Sequence, residues 1–385
     1  MATASASFLR ISSEKSPYHS LPSTSFKKLL GGRKAFYEQP DYVERTRQDL
    51  TQTRSLPVHY TWSSENKIVR IAKQIFAILF FPLGIHQLLH NFMGKIALVP
   101  SSSPQLLRYS KNYANSVRSH IPLTDKWKFK RITIQVDGYK IDAMIAGTAS
   151  TLNNGRWVLS SLGNAQFYEE QFFSKSFTDM LGELKSNALV FNYPGVGAST
   201  GWPNRKAMEK AYRAMLNFLE DQENGIGAKE IIGYSYSIGA GVQSDALKKH
   251  PLKKEVKYVF VKGRSFSTLY KTAATLTNRL LAFLVKIFGW NMDSAKVSKK
   301  LQAPEIILQT AKVSQYEEIK DSSKVINDGI IAAQASLAKA LLDDKACPTK
   351  NKVFIGIPEG HNEELTNPEF LAKKIESLLE TSSSS

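Results

Sequence analysis

Apolar and polar positions alternate most regularly near the middle of the chain. Residues 131–146, RITIQVDGYKIDAMIA, switch between the two on either side of Asp137-Gly138. Strict alternation around an Asp-Gly pair predicts a β-hairpin with a tight turn. Beyond Asn153-Asn154-Gly155 short apolar runs alternate with helical stretches. Strands are predicted over 157–162, 188–192, 230–233, 256–262, 305–309 and 352–357, and helices over 167–185, 205–222, 237–249 and 332–342. Within 205–222, Met208, Tyr212, Met215, Leu216 and Leu219 recur at three- and four-residue steps, one face of a helix. Strand–helix alternation of this kind predicts an α/β fold, a mostly parallel central sheet with helices on both faces.

Two segments depart from that rhythm. Residues 265–302 interrupt it as a helical cap insertion, with the apolar stretch TLTNRLLAFLVKIFGW at its centre. Leu276, Leu280, Leu281, Phe283, Leu284 and Phe288 are expected on one helix that lines an acyl-chain pocket or covers the sheet. Upstream, residues 68–99 read IVRIAKQIFAILFFPLGIHQLLHNFMGKIALV, and the 21 residues between Lys73 and Lys95 carry no charge. That is about the length of a bilayer span. However, Gln74, His86, Gln87, His90 and Asn91 interrupt it, and Pro82 with Gly84 should break a helix. A broken helix lying in a membrane interface, or a helix pair packed on the main domain, accounts for the pattern.

The domain reading follows. Residues 1–66, rich in Ser, Thr, Lys and Arg without a period, form an irregular leader. Residues 67–124 hold the hydrophobic helical segment and a Pro-Ser linker at 100–104, residues 125–380 the α/β domain, and 381–385 a disordered tail.

Composition narrows the partners. The 385 residues are 42% hydrophobic and 22% charged, enough for a large core, and their formal net charge is +17. Lysines are densest over 248–264, yet no zinc-ligand spacing, RNA-binding aromatic motif or helix-turn-helix pattern accompanies them. No nucleic-acid partner is expected; a solvated basic face or an anionic membrane surface explains the charge. Cys347 is the one cysteine, which excludes an intrachain disulfide and suits a reducing cytosol. The first 20 residues lack an apolar signal-peptide core, so general secretory export is not expected.

Candidate chemistry concentrates in EIIGYSYSIGAGVQSDAL, residues 230–247, where a strand meets small residues and then a helix. A serine at such a turn is held in a strained conformation with its hydroxyl above the sheet. Ser235 and Gly239 flank Ser237, giving S-x-S-x-G, so Ser237 is the candidate nucleophile. The strand at 157–162 ends in Gly163-Asn164-Ala165. An oxyanion needs two backbone N–H donors; Ile238 supplies one in this register and Asn164 or Ala165 the other. His361 follows the last predicted strand behind Gly360 and is the candidate general base. The acid that orients it belongs on the loop between the last two strands. Asp328, opening the Asn327-Asp328-Gly329 turn, is favoured over Glu317, Glu318 and Asp321. No metal or organic cofactor is required.

Together these residues resemble the α/β-hydrolase superfamily. Residues 192–201, NYPGVGASTG, are similar to its D-Y-R-G-x-G-x-S-x-G segment, with Asn192 for Asp and Pro194 for Arg. Gly163-Asn164-Ala165 is similar to its His-Gly-Asn-Ala oxyanion segment, with Leu162 for His, and Gly263–Leu269 to its D-R-S/T-F-S-S-L stretch. Within the superfamily, the leader, the hydrophobic segment, Ser161-Leu162-Gly163-Asn164 and Asp328-Gly329-Ile330-Ile331 resemble Chlamydia CHLPS-type proteins and their Legionella SidB-like relatives. The resemblance implies an α/β-hydrolase fold and a serine ester hydrolase working through Ser237, His361 and Asp328. With the apolar segments and basic charge, it points to a lipid ester (lipase, phospholipase or lysophospholipase chemistry) at a membrane. A catalytically silent lipid or host-protein binder and a thioesterase or peptidase are the alternatives. It further implies a protein of the bacterial cytoplasm, exported to a host cell through a type IV system.

Overall fold

The computed structural model describes residues 19–20, 54–62, 81–110, 112–121, 127–348 and 350–381. Most of the expected leader, residues 67–80 of the apolar segment, the boundary near 125 and the tail at 382–385 lie outside them.

The hairpin forms as read: β3 (Trp127–Val136) and β4 (Tyr139–Thr148) pair antiparallel through Asp137-Gly138, both at positive φ. From there the strands are β5 (Arg156–Ser161), β6 (Asn187–Phe191), β7 (Glu230–Tyr236), β8 (Lys257–Gly263), β9 (Glu305–Thr310), β10 (Glu317–Glu318) and β11 (Lys352–Ile357). They lie in the order β3-β4-β6-β5-β7-β8-β9-β11-β10. From β6 through β11 all pairs on that path are parallel, and β4 joins β6 antiparallel. The parallel strands read as continuous apolar runs because both faces are covered; Val158, Leu189, Ile232 and Val259 are fully buried.

The helices α4 (Lys175–Glu183), between β5 and β6, and α5 (Arg205–Glu220), between β6 and β7, follow connections that run in opposite directions along the sheet. Right-handed crossovers therefore put them on opposite faces. On the α5 side lies α6 (Ile238–Leu247), packed against it; α4 packs with the C-terminal α11 (Pro368–Thr381).

Several elements differ from expectation. Residues 54–60, placed in the irregular leader, form β2 (Arg54–Tyr60), which runs parallel to β3 at the sheet edge; His19–Ser20 (β1) also pair with β3. Pro57 argues against a strand, but its register shift falls between Ser55 and His59, and an edge strand tolerates a residue that cannot donate. The Pro-Ser stretch at 100–104 is not a free linker. It makes two 3-10 turns, Pro100–Ser102 and Pro104–Leu107, with Ser101 and Ser103 buried. The helix expected over 167–185 is two, α3 (Tyr168–Gln171) and α4, and the one expected over 332–342 is a 3-10 turn followed by α10 (Leu337–Leu342).

The hydrophobic segment is helical over Phe81–Met93 (α1), with Gly84 inside it without a break and Pro82 within its first described turn. The irregularity falls later, at the π-helical turn Gly94–Leu98. After α2 (Tyr113–Ser119) the chain enters the sheet. The cap is α7 (Leu269–Leu276), α8 (Arg279–Ile287) and α9 (Ser294–Ser298); its central apolar stretch is divided at Thr277-Asn278 rather than forming one helix. Among the described residues no helix is long and apolar enough to cross a membrane.

Candidate active site

The β7–α6 junction carries Ser237 at φ 53° and ψ −121°, a conformation that favours glycine. The turn is tight because α6 starts against the end of β5. A Cβ at Gly239 would sit 2.3 Å from the Ser161 carbonyl oxygen and 2.6 Å from that of Leu162, so only glycine fits. Position 235 is under no such pressure. The Ser235 hydroxyl donates to the Val261 carbonyl at 2.8 Å within the sheet and is fully buried.

His361 arrives from the loop after β11. Its Nε2 lies 3.1 Å from Ser237 Oγ, and its Nδ1 lies 2.9 Å from Asp328 Oδ2. An ionised carboxylate only accepts, so Nδ1 carries the proton and Nε2 is left to accept from the serine. The Asp328 loop is built around this pairing: Oδ1 accepts the N–H groups of Ile330 and Ile331 at 2.9 and 2.6 Å, and the Asp328 carbonyl accepts the His361 N–H at 2.6 Å. Burial pushes the Asp328 carboxyl up, but the His361 hydrogen bond and charge and the two N–H donors outweigh it, and the carboxyl lies below its ordinary range. Of the competing acids, Glu317 pairs with Lys324, Glu318 with Lys374, and Asp321 accepts from Ser323.

The predicted oxyanion donors lie in matching surroundings. Ile238 opens α6 directly after Ser237, and Ala165 stands at φ 64° in the turn after β5. Among the described residues the N–H groups of Ile238, Asn164 and Ala165 have no acceptor. Gly163 permits the approach of this turn, since a Cβ there would meet the Tyr236 ring at 2.6 Å. The Asn164 side chain points elsewhere, donating to the Ala97 carbonyl at 3.2 Å in the π-helical turn after α1. The hydrophobic segment thus borders the site.

Other residues shape the site, Tyr236 unmarked in the sequence and Arg264 noted there only within the Gly263–Leu269 stretch. Tyr236 donates its hydroxyl to the His361 carbonyl, and its ring lies 5.1 Å from the imidazole. Arg264, itself at φ 44°, donates to the carbonyls of Gly360 and Glu363 and lies over the Tyr236 ring. Behind the oxyanion turn, Arg118 of α2 is buried against Tyr168 Oη (3.1 Å), Asp142 (3.2 Å) and Glu169. Asn192 completes the cluster. Its Nδ2 donates to Glu169 at 3.0 Å and its Oδ1 accepts the Tyr168 N–H at 3.0 Å. An aspartate at 192 could not donate to Glu169, which explains the departure from the D-Y-R-G pattern. That departure was the one signal pointing to the cluster.

Among the described residues, cavities of about 160 and 180 Å³ lie elsewhere, one lined by Ser101, Phe167 and Gly195 and one by Tyr139 and Lys206. Ser237 and His361 themselves are nearly covered, 9% and 6% exposed.

A doubly wound sheet with a serine at a strained strand-to-helix turn, facing an imidazole–carboxylate pair, defines a protein of α/β-hydrolase architecture. The profile of the family described as Chlamydia CHLPS protein (DUF818) matches residues 43–381, and the chain belongs to that family. No curated protein matches it. Among solved structures it is similar to an esterase of Pyrococcus furiosus, at 17% identity and TM-score 0.48 over 66% of this chain and 91% of that one. An alpha-beta hydrolase of Vibrio vulnificus is similar at 15% identity and TM-score 0.48, over 85% and 97%. An acetyl xylan esterase of a Paenibacillus species is similar at 13% identity and TM-score 0.43, over 66% and 84%.

Proposed function

We propose that this protein is a serine ester hydrolase whose nucleophile is Ser237. The observation that carries the reading is the continuous relay from Ser237 Oγ through His361 to Asp328, at 3.1 and 2.9 Å. In this reading His361 Nε2 takes the Ser237 proton as Oγ attacks an ester carbonyl. The carbonyl oxygen becomes an oxyanion held by the N–H groups of Ile238 and Ala165 or Asn164, each contributing about 3 kcal/mol to the transition state. The alkoxide leaves with the proton from His361. Water, deprotonated by the same imidazole, then cleaves the acyl-enzyme to a carboxylic acid and free Ser237. Asp328 stays ionised and holds the imidazole in its working tautomer.

A lipid ester is the substrate class we favour. The apolar segment after α1 touches the oxyanion turn through Asn164 and Ala97, and Trp290 of the cap donates to the His90 carbonyl of α1, so apolar elements border the site. A fluorophosphonate probe tests the reaction class. Wild type should label and Ser237→Ala should not; a folded wild type that stays unlabelled means a binding protein without activity. Lipid products released from intact membranes then test the substrate class.

A further inference from the structure

The cap and α1 each turn an apolar stripe outward. On α8, Ala282 and Val285 face the core, yet Leu280, Phe283 and Ile287 are exposed. On α1, Ile85, Leu88 and Phe92 are exposed with the same three- and four-residue steps. A helix that needs only one buried face should carry polar residues on the other. The two stripes are joined at Ile287: its side chain belongs to the cap stripe, and its carbonyl lies 2.8 Å from His86 Nε2, next to Ile85. His90 strengthens the joint by stacking on Trp290 at 4.7 Å and bonding the Phe288 carbonyl. Exposed apolar side chains gathered this way mark an interaction surface.

The surrounding charge identifies the occupant. No Asp or Glu occurs between Glu65 and Asp125, nor between Glu255 and Asp293, whereas Lys95, Lys271, Arg279 and Lys286 lie in those stretches. A second copy of the chain would bring this basic rim against itself. An anionic bilayer satisfies both features, taking the stripes into its acyl boundary and the cations at its headgroups.

We propose that α1 and the cap helix α8 form one composite docking face for an anionic lipid bilayer, on elements whose neighbouring turn reaches Asn164 beside Ser237. The inference rests on the proposed lipid-ester reading for its purpose but not for the docking itself.

Sedimentation of the full chain with phosphatidylcholine vesicles, with and without phosphatidylserine, tests it alongside turnover of a water-soluble short-chain ester. Wild type should bind the phosphatidylserine vesicles at least about tenfold more tightly. Leu88→Glu and Leu280→Glu act at side chains 67% and 71% exposed, so both variants fold. Each should weaken vesicle binding about tenfold, in separate elements of the face, with soluble-ester turnover and Tm unchanged. Wild type that ignores vesicles, or variants that bind as wild type does, would overturn the proposal. So would equal binding to neutral vesicles, or a wild-type dimer that these substitutions split. Vesicle binding lost in the variants, in a protein without esterase activity, would remove the hydrolase reading and uphold the docking face.

Discussion

Replacing Gly239 with alanine is the sharpest probe of the turn that presents Ser237. The added Cβ would stand 2.3 Å from the Ser161 carbonyl oxygen, where ordinary contact starts near 3.4 Å. Both sides are backbone, so the elbow or the end of β5 must retreat by roughly 1 Å, and β5 leads into the oxyanion turn. A displacement of that size between nucleophile and oxyanion donors costs about 10²-fold in rate. Overpacking should also cost about 1–3 kcal/mol in stability, partly offset by the helix preference of alanine. The companion change Ser235→Gly restores the more usual G-x-S-x-G. It should leave the rate within about threefold and lose about 1–2 kcal/mol, because it deletes the hydrogen bond to Val261 and loosens a strand. The assay is kcat/KM on a water-soluble ester, the rate of fluorophosphonate labelling, and urea unfolding. A Gly239→Ala enzyme with wild-type rate and stability would show that close packing at the elbow does not set the site.

Three further outcomes test other parts of the structure. Asp328→Asn should lower kcat about 10⁴-fold by favouring the wrong imidazole tautomer, whereas Glu317→Gln should not change it; steady-state kinetics of both variants decide whether Asp328 is the acid. Arg118→Leu leaves Asp142 and Glu169 buried with less compensation and should cost about 3–5 kcal/mol in urea unfolding; a loss below about 1 kcal/mol would mean the cluster is not held by that charge. Burial pushes the Glu170 carboxyl up to about 7, against the Phe167 N–H and the Tyr113 hydroxyl. Because its folded-state value is raised, the folded protein binds more protons than the unfolded chain, and this contribution to stability is lost as pH rises from about 4.5 through 7. With solvent reaching part of the carboxyl, Glu170→Gln should gain about 1–2 kcal/mol over wild type between pH 5 and 8. Parallel stability curves for the two proteins would refute it.

Much of the α/β domain was readable from periodicity, because the strands and helices after residue 125 bury regular faces that local pattern marks. The hairpin at Asp137-Gly138, the apolar stripe of α5 and the Ser237, Asp328 and His361 positions all lie where local sequence marks a turn, a face or a loop end. Failures came where long-range contacts outvoted local preference. Pro57 disfavours a strand, but β3 offers an edge that needs no donor from it. Gly84 disfavours a helix, yet α1 is held by bonds to a cap about 200 residues away in sequence, at Ile287, Phe288 and Trp290.

The chain's own order of residues determined the doubly wound architecture, the serine at its strained turn and the histidine behind the last strand, since each depends on neighbours a few positions away. Only the tertiary structure decided which carboxylate meets His361, why Asn192 replaces an aspartate, and that α1 seats against the cap with an apolar face left outward. Those outcomes depend on hydrogen bonds and close contacts between segments far apart along the chain, and local pattern carries no record of which distant partner a buried donor, acceptor or helix face will meet.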